Sequence, residues 1–410
     1  MTRAFMTGLV AGMFLLATAA AANADPVTDW NTRAVVAATA GRPGPPSLLD
    51  IALVHLAMHD AVQAIEGRYQ PYHFTDPDAS GSPAAAAIAA ARRVLVRLYP
   101  GQAATFNAAY AADLVTYGIP ASDAGLAVGD TAGNALYDQQ YRAPLGTPPY
   151  IGVNAIGQWY SPNAPMAFLD LAFTEPFALN RVDQFRPPPP PPMTSAAYQR
   201  DYDEVKAIGQ NTAHPATDPD VTAKAWFWSV NFIAQFNQCA RTLAALHLTN
   251  IGDSARLFAL INTAMADTAM AVWDSKYFYN IWRPAPAINQ GDADPNPRTI
   301  GLVGWTSLVN SPAYPDYVSG ANGLTGAFTG MMRSVFDTDL MDLDVTSTSP
   351  NTTTPTRHFS SFSQVADEVV EARILLGIHF RFADTEARRL GERVAHWTFQ
   401  KFLRAEPGVK

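Results

Sequence analysis

Between residues 47 and 66, Leu48, Leu49, Ile51, Leu53, Val54, Leu56, Ala57, Val62 and Ile65 recur too densely for an alternating strand. That pattern predicts a largely buried helix. Residues 83 to 98 are alanine-rich and carry Val94, Leu95, Val96 and Leu98, and Pro100-Gly101 stops them. Two more helices are expected over 102 to 116 and 123 to 141, giving an N-terminal helical bundle. From about 142 to 193 the periodicity fails: Pro144, Pro148, Pro149, Pro162 and Pro165 precede an unbroken run from Pro187 to Pro192. Such a run excludes helix and forms a stiff polyproline II spacer, or a ligand for a proline-reading domain. A boundary is placed here, although a long irregular excursion can also wrap a compact body.

Helical patterning returns over residues 222 to 248 and 253 to 282. Asp253-Ser254 offers N-cap chemistry to the second of these, and Arg283-Pro284 ends it. Residues 361 to 381 and 384 to 404 predict two further helices. No segment stands out as strand-rich and no internal repeat is visible. The expectation is an all-α protein of two helical-bundle halves, 25–193 and 194–410.

The first 24 residues read differently. Arg3 precedes an apolar run through Leu9, Val10, Met13, Phe14, Leu15 and Leu16, followed by Ala22-Asn23-Ala24. This is the order of a secretory leader cleaved before Asp25, and it implies an exported, periplasmic or extracellular protein. The run falls short of the roughly 20 residues that span a bilayer, and no later stretch is expected to cross one. A formal charge of −8 argues against a nucleic-acid partner, which would call for a basic stripe. One cysteine, Cys239, excludes an intramolecular disulfide, and its apolar surroundings read as a buried thiol.

Candidate chemistry gathers in three segments. Lys276 and Arg283 lie seven residues apart, close to two helical turns, so one helix face could present both to an anion. A solvated cationic face at a helix C-terminus gives the same spacing. Ser319-Gly320 opens the helix expected over Leu324 to Phe336, where free amides and a hydroxyl can meet an anion or where Ser319 simply caps. Arg373 and His379 sit among aliphatic residues, where unpaired charge is costly. In a regular helix they would lie about 120° apart, so either the anion sits between them or the helix is distorted near Gly377.

Together these segments resemble the vanadium-dependent haloperoxidases and their relatives in the type 2 phosphatidic acid phosphatase superfamily, whose pattern is K-x6-R-P, then P-S-G-H, then S-R-x5-H-x3-D. Lys276 to Arg283-Pro284 match the first element. Ser319-Gly320 match the second, with Val318 for its proline and Ala321 for its histidine. Arg373 and His379 match the third, with Ala372 for its serine, Ala383 for its aspartate and Asp384 one residue late. Val27-Thr28-Asp29-Trp30-Asn31 and the stretch from Leu53 to Ala61 also look like bacterial exported members. The resemblance implies that Lys276, Arg283, Ser319, Gly320 and Arg373 surround vanadate or phosphate. His379 would then be the vanadium ligand of a peroxidase acting on halide and peroxide, or the nucleophile of a phosphatase acting on phosphoesters. It places a proton-transferring histidine where Ala321 stands, which favours peroxidation over phosphoester hydrolysis and leaves an oxyanion-binding protein without catalysis as a third reading.

Asn322 can donate a hydrogen bond there but cannot shuttle a proton. Asp316 and His358 are candidate substitutes for the missing acid. Asp384 either orients His379 or, with Thr385-Glu386, starts the last helix. His55 and His59 have the spacing of metal ligands without an accompanying H-E-x-x-H glutamate, and a packed pair is the expectation.

Overall fold

Asp25 begins the described chain as a helix cap: its carboxylate accepts from the Val27 amide at 2.8 Å, and Pro26 opens α1 (Pro26–Gly41). The computed structural model describes residues 25–211 and 219–408. The leader expected over residues 1–24 lies outside them. The N-terminal bundle continues with α2 (Ser47–Glu66), α3 (Pro83–Leu98), α4 (Ala103–Thr116) and α5 (Gly125–Gln140). The C-terminal half contains α6 (Ala196–Ile208), α7 (Pro219–Phe227), α8 (Phe232–His247), α9 (Ile251–Tyr279), α10 (Pro284–Asn289), α11 (Gly320–Phe336), α12 (Phe362–Leu375) and α13 (Arg381–Lys401). The all-α expectation holds, apart from one antiparallel hairpin of β1 (Leu340–Thr346) and β2 (Thr356–Ser361) that the apolar pattern did not announce. Its strands alternate buried and exposed positions over so few residues that they merge with loop patterning.

The two longest apolar segments become central helices. α9 is buried almost continuously from Gly252 to Lys276, and α2 from Ser47 to Gln63. A helix apolar all round must be covered on every side, and these two pack against each other while α9 also meets α11 and α13. The core is therefore continuous across both halves. α2 alone among the described residues is long and apolar enough to cross a membrane, but 89% of that window is buried within the protein. α11 and α13 cross at backbone distance: a Cβ on Gly326 would meet the Arg388 carbonyl at 2.2 Å, and one on Gly391 the Gly323 carbonyl at 2.1 Å.

The irregular stretch from 142 to 193 wraps this body. Buried Asp267 of α9 accepts the amides of Phe177, Ala178 and Leu179 at 2.7 to 2.9 Å, which satisfies three otherwise orphaned donors at once. The proline run lies along the body as a strap: the Tyr279 and Tyr317 hydroxyls donate to the Pro187 and Pro188 carbonyls, each at 2.6 Å.

Several expected helices are shorter than their apolar patterns. The segment expected over 222 to 248 divides into α7 and α8, and the Asn231 side-chain Oδ1 caps α8 by accepting from the Ile233 and Ala234 amides. Asn250, not Asp253-Ser254, caps α9, which ends at Tyr279 because Asn280 turns left-handed at φ 47°. α12 stops at Leu375, and Gly377 at φ 75° breaks the helix expected to reach 381. α13 begins at Arg381, which puts Asp384 inside its first turn and corrects the reading of Asp384 as its start.

Candidate functional site

The three helix ends just described converge on one buried cluster. α9 brings Lys276, the turn after it brings Arg283, α12 brings Arg373, and the broken segment between α12 and α13 brings His379. Lys276 and Arg283 do not share the helix their spacing implied, since Arg283 is the extended cap of α10; Arg373 and His379 are separated by the distortion expected near Gly377. The chain breaks are what allow the side chains to meet. Facing them are Asp316, Ser319 and Gly320 at the entry to α11. Ser319 caps that helix, its hydroxyl accepting from the Asn322 amide at 3.5 Å.

Hydrogen bonding fixes each group. Lys276 Nζ donates to the Pro315 and Asp316 carbonyls at 2.8 and 3.0 Å. Arg283 donates from Nε to the Tyr314 carbonyl at 2.9 Å and from Nη1 to the Ile378 carbonyl at 2.7 Å. Arg283 Nη1 also lies 3.3 Å from His379 Nε2. Asp316 Oδ1 is 2.6 Å from His379 Nδ1 and 3.7 Å from Arg283 Nη1. Asn322 Nδ2 donates to Asp384 Oδ1 at 2.7 Å, so Asp384 ties α13 to α11 and does not orient His379. Asp316 does that instead. Its carboxylate accepts the Nδ1 proton, which puts the imidazole lone pair on Nε2, facing Arg283 Nη1.

Burial dominates the electrostatics. Lys276, Arg283 and His379 are all at most 2% exposed. Burial, then Arg283, hold the Lys276 ammonium well below its usual range; burial, then the three cations, keep His379 neutral. Burial likewise lowers Arg283 and Arg373. It pushes Asp316 up to about 7 against Arg283 and Lys276, and Asp384 up to about 8 against Ser319, Arg373 and Asn322. Arg283 Nη2 and Arg373 Nε are buried without a partner among the described residues. Buried donors of this kind are rarely left unmatched, and guanidinium forks match oxyanions. The donor set therefore fits a tetrahedral or trigonal-bipyramidal oxyanion.

A chamber of about 400 Å³ reaches this cluster, lined by Arg373, Gly320, Ala321, Tyr314, Trp273 and Phe232 among others. Position 321, where the related motif has histidine, thus faces the chamber. Sequence reasoning missed Tyr314, whose ring lies 4.9 Å from both Lys276 Nζ and Arg283 Cζ and shields the two cations from water. Its only signal was adjacency to the Ser319 segment.

The other candidates lie elsewhere. His358 is exposed on β2, 3.0 Å from Asp344, and cannot serve the cluster. His55 bonds Asn31 at 2.8 Å and His59 the Gln70 carbonyl at 3.0 Å, as a packed pair would. Burial pushes the Cys239 thiol up to about 12, leaving it inert.

Residues 256–406 match the family model described as the VCPO second helical-bundle domain. The vanadium chloroperoxidase of Curvularia inaequalis is 25% identical over 226 residues, which are 42% of this chain but only 37% of that protein. A bacterial vanadium-dependent iodoperoxidase structure superposes with a TM-score of 0.75 and 21% identity, covering 94% of this chain and 98% of that one. A bacterial vanadium-dependent chloroperoxidase in its holo form gives 0.69 and 17% identity, covering 88% and 93%. Residues 256–406 thus match the second helical bundle of the vanadium chloroperoxidase type, and the chain as a whole has the fold of the bacterial vanadium haloperoxidases.

Proposed function

We propose that this protein is a vanadate-dependent haloperoxidase, oxidising halide with hydrogen peroxide. The observation that carries the reading is a neutral, Asp316-bound His379 beside Lys276, Arg283 and Arg373, with buried, unmatched donors on both guanidinium groups. Vanadate, when bound, supplies the Lewis acidity that activates peroxide towards halide. Lys276, Arg283 and Arg373 would balance its charge, Ser319 and Gly320 would offer the hydroxyl and an amide at the start of α11, and His379 Nε2 would be its protein ligand. Phosphate has the same shape and charge and would occupy the same place.

Ala321 supports peroxidation over phosphoester hydrolysis. Protonating a leaving alkoxide requires a positioned acid, worth about 10²- to 10⁴-fold in rate, and position 321 supplies none. Asp316 is committed to His379, and Asp384 is not among the residues lining the chamber at Ala321. The leader pattern adds that the mature enzyme works outside the cytoplasm.

Two assays on the purified chain test the reading. Vanadate-dependent bromide oxidation by peroxide is expected, with no turnover of a chromogenic phosphate ester. Turnover of the ester alone would make it a phosphatase. Silence in both assays, with a melting temperature raised by vanadate, would leave an oxyanion-binding protein.

A further inference from the structure

A second chamber lies against Arg283, walled by a segment that belongs to no helix. Residues 152 to 161 fold back on themselves through pairing of Gly152 with Tyr160, and Gln158 pairs with Ile281 in the turn that delivers Arg283. Gly152 sits at φ 79°, and a Cβ there would meet the Trp159 carbonyl at 1.9 Å, so the fold-back requires glycine. The clamp is tight. The Trp159 amide donates to the Asn280 carbonyl at 2.8 Å, the Trp282 amide to the Gly157 carbonyl at 3.2 Å, and Asn280 Nδ2 to the Gln158 side-chain carbonyl at 3.0 Å.

The cavity behind this wall measures about 520 Å³, and its chemistry differs from that of the chamber at Ala321. Trp159 and Trp282 provide ring surfaces, Gln158 and Gln290 amides, Ser311 a hydroxyl and Arg283 a guanidinium; no carboxylate is among the described lining residues. Ser311 Oγ and Arg283 Nη2 are both buried without a partner among the described residues. Buried polar atoms left unmatched in a preformed cavity mark where a ligand's polar groups belong.

We propose that this chamber binds a hydroxylated ring carrying one carboxylate, of the sugar-acid class. The ring lies against the two indoles, the hydroxyls meet Gln158, Gln290 and Ser311, and the carboxylate meets Arg283. The absence of acidic lining excludes cationic ligands, and the amides and hydroxyl distinguish a hydroxylated ring from a bare hydrocarbon one. Because Arg283 also faces the oxyanion cluster, an anion in the chamber weakens vanadate binding, and vanadate weakens the anion's by the same factor. The coupling rests on the proposed oxyanion site; the chamber's own binding does not.

Isothermal titration of the full chain with D-glucuronate, glucose and cyclohexanecarboxylate tests the proposal. Glucuronate is expected to bind at least about tenfold more tightly than either control, a difference that reports carboxylate and hydroxyls separately. Ser311→Ala and Gln290→Leu should each weaken glucuronate about tenfold while leaving vanadate affinity unchanged in its absence. Both variants are checked for an unchanged melting temperature. No binding of glucuronate, equal binding of either control, or variants without effect would overturn the proposal. Glucuronate binding that depends on Ser311 in a protein indifferent to vanadate would uphold the chamber and remove the oxyanion reading.

Discussion

Asp316 and His379 form the contact on which the site turns, and 63 residues separate them in sequence. Asp316→Ala removes the acceptor at Nδ1 and frees the ring to rotate, and loss of such a supporting group costs about 10- to 100-fold in affinity. Vanadate titration should therefore show weaker binding in the variant. Charge alone predicts the opposite, because deleting a negative group from an anion site would tighten it. The sign of the change separates orientation from electrostatics.

Asp384 makes a different prediction at the same scale. Its pKa is raised by burial from its ordinary value to about 8, so the folded protein holds a proton there that the unfolded chain releases near 4. Between those values the native state binds more protons than the unfolded one, and stability falls as pH rises through the window. Thermal melts between pH 5 and pH 9 should show this decline, and Asp384→Asn should flatten it and raise the melting temperature at the alkaline end. An identical slope in the variant would assign the decline to another group, with Asp316 the first candidate, since burial pushes it up to about 7.

At the scale of elements, helix interruptions make the site, and these are what apolar periodicity reads least well. The apolar composition carried the expected helices straight through Asn280 and Gly377: buried Leu376 and Ile378 flank Gly377, while the aromatic residues before Asn280, Tyr277 and Phe278, are exposed. Gly377 was visible as a possible distortion; Asn280 carried no comparable signal, since asparagine occupies many helical and turn settings. Lys276, Arg283, Ser319, Gly320, Arg373 and His379 were all legible through their motif spacing, and the structure brings all six together. The Asp316 contact was not legible, because a pairing between distant segments leaves no mark on local spacing. Gly377→Ala tests the value of the break. A Cβ at this φ would meet the Gly209 carbonyl at 2.1 Å and Ser307 Cβ at 2.8 Å. The backbone conformation alone should cost about 1–3 kcal/mol, read from the urea midpoint. His379 should be displaced with it, so any bromide oxidation should fall by more than the folded fraction does.

For the whole molecule, the two halves share one core, and the proline-rich stretch straps across them. The Asp267 carboxylate holds amides from the wrap, and α9 packs on α2 from the other half. We propose the boundary near 193 as a division of the sequence and not of folding. Residues 194–410 expressed alone would expose one side of α9 to water and should lack a cooperative thermal transition. A sharp transition in that fragment would show two independent folding units. The mild net negative charge fits an acidic exterior and gives no hint of three cations at the centre, since buried charge and surface charge answer to different constraints.

If His379 anchors an oxyanion inside the Lys276, Arg283 and Arg373 cluster, the bound anion is directly visible. Crystals of the full chain grown with orthovanadate test it most directly. Vanadium density is expected within bonding distance of His379 Nε2, with Arg283 Nη2 and Arg373 Nε turned onto its oxygens. Vanadium density away from His379, or an unfilled cluster in crystals grown at saturating vanadate, would contradict it.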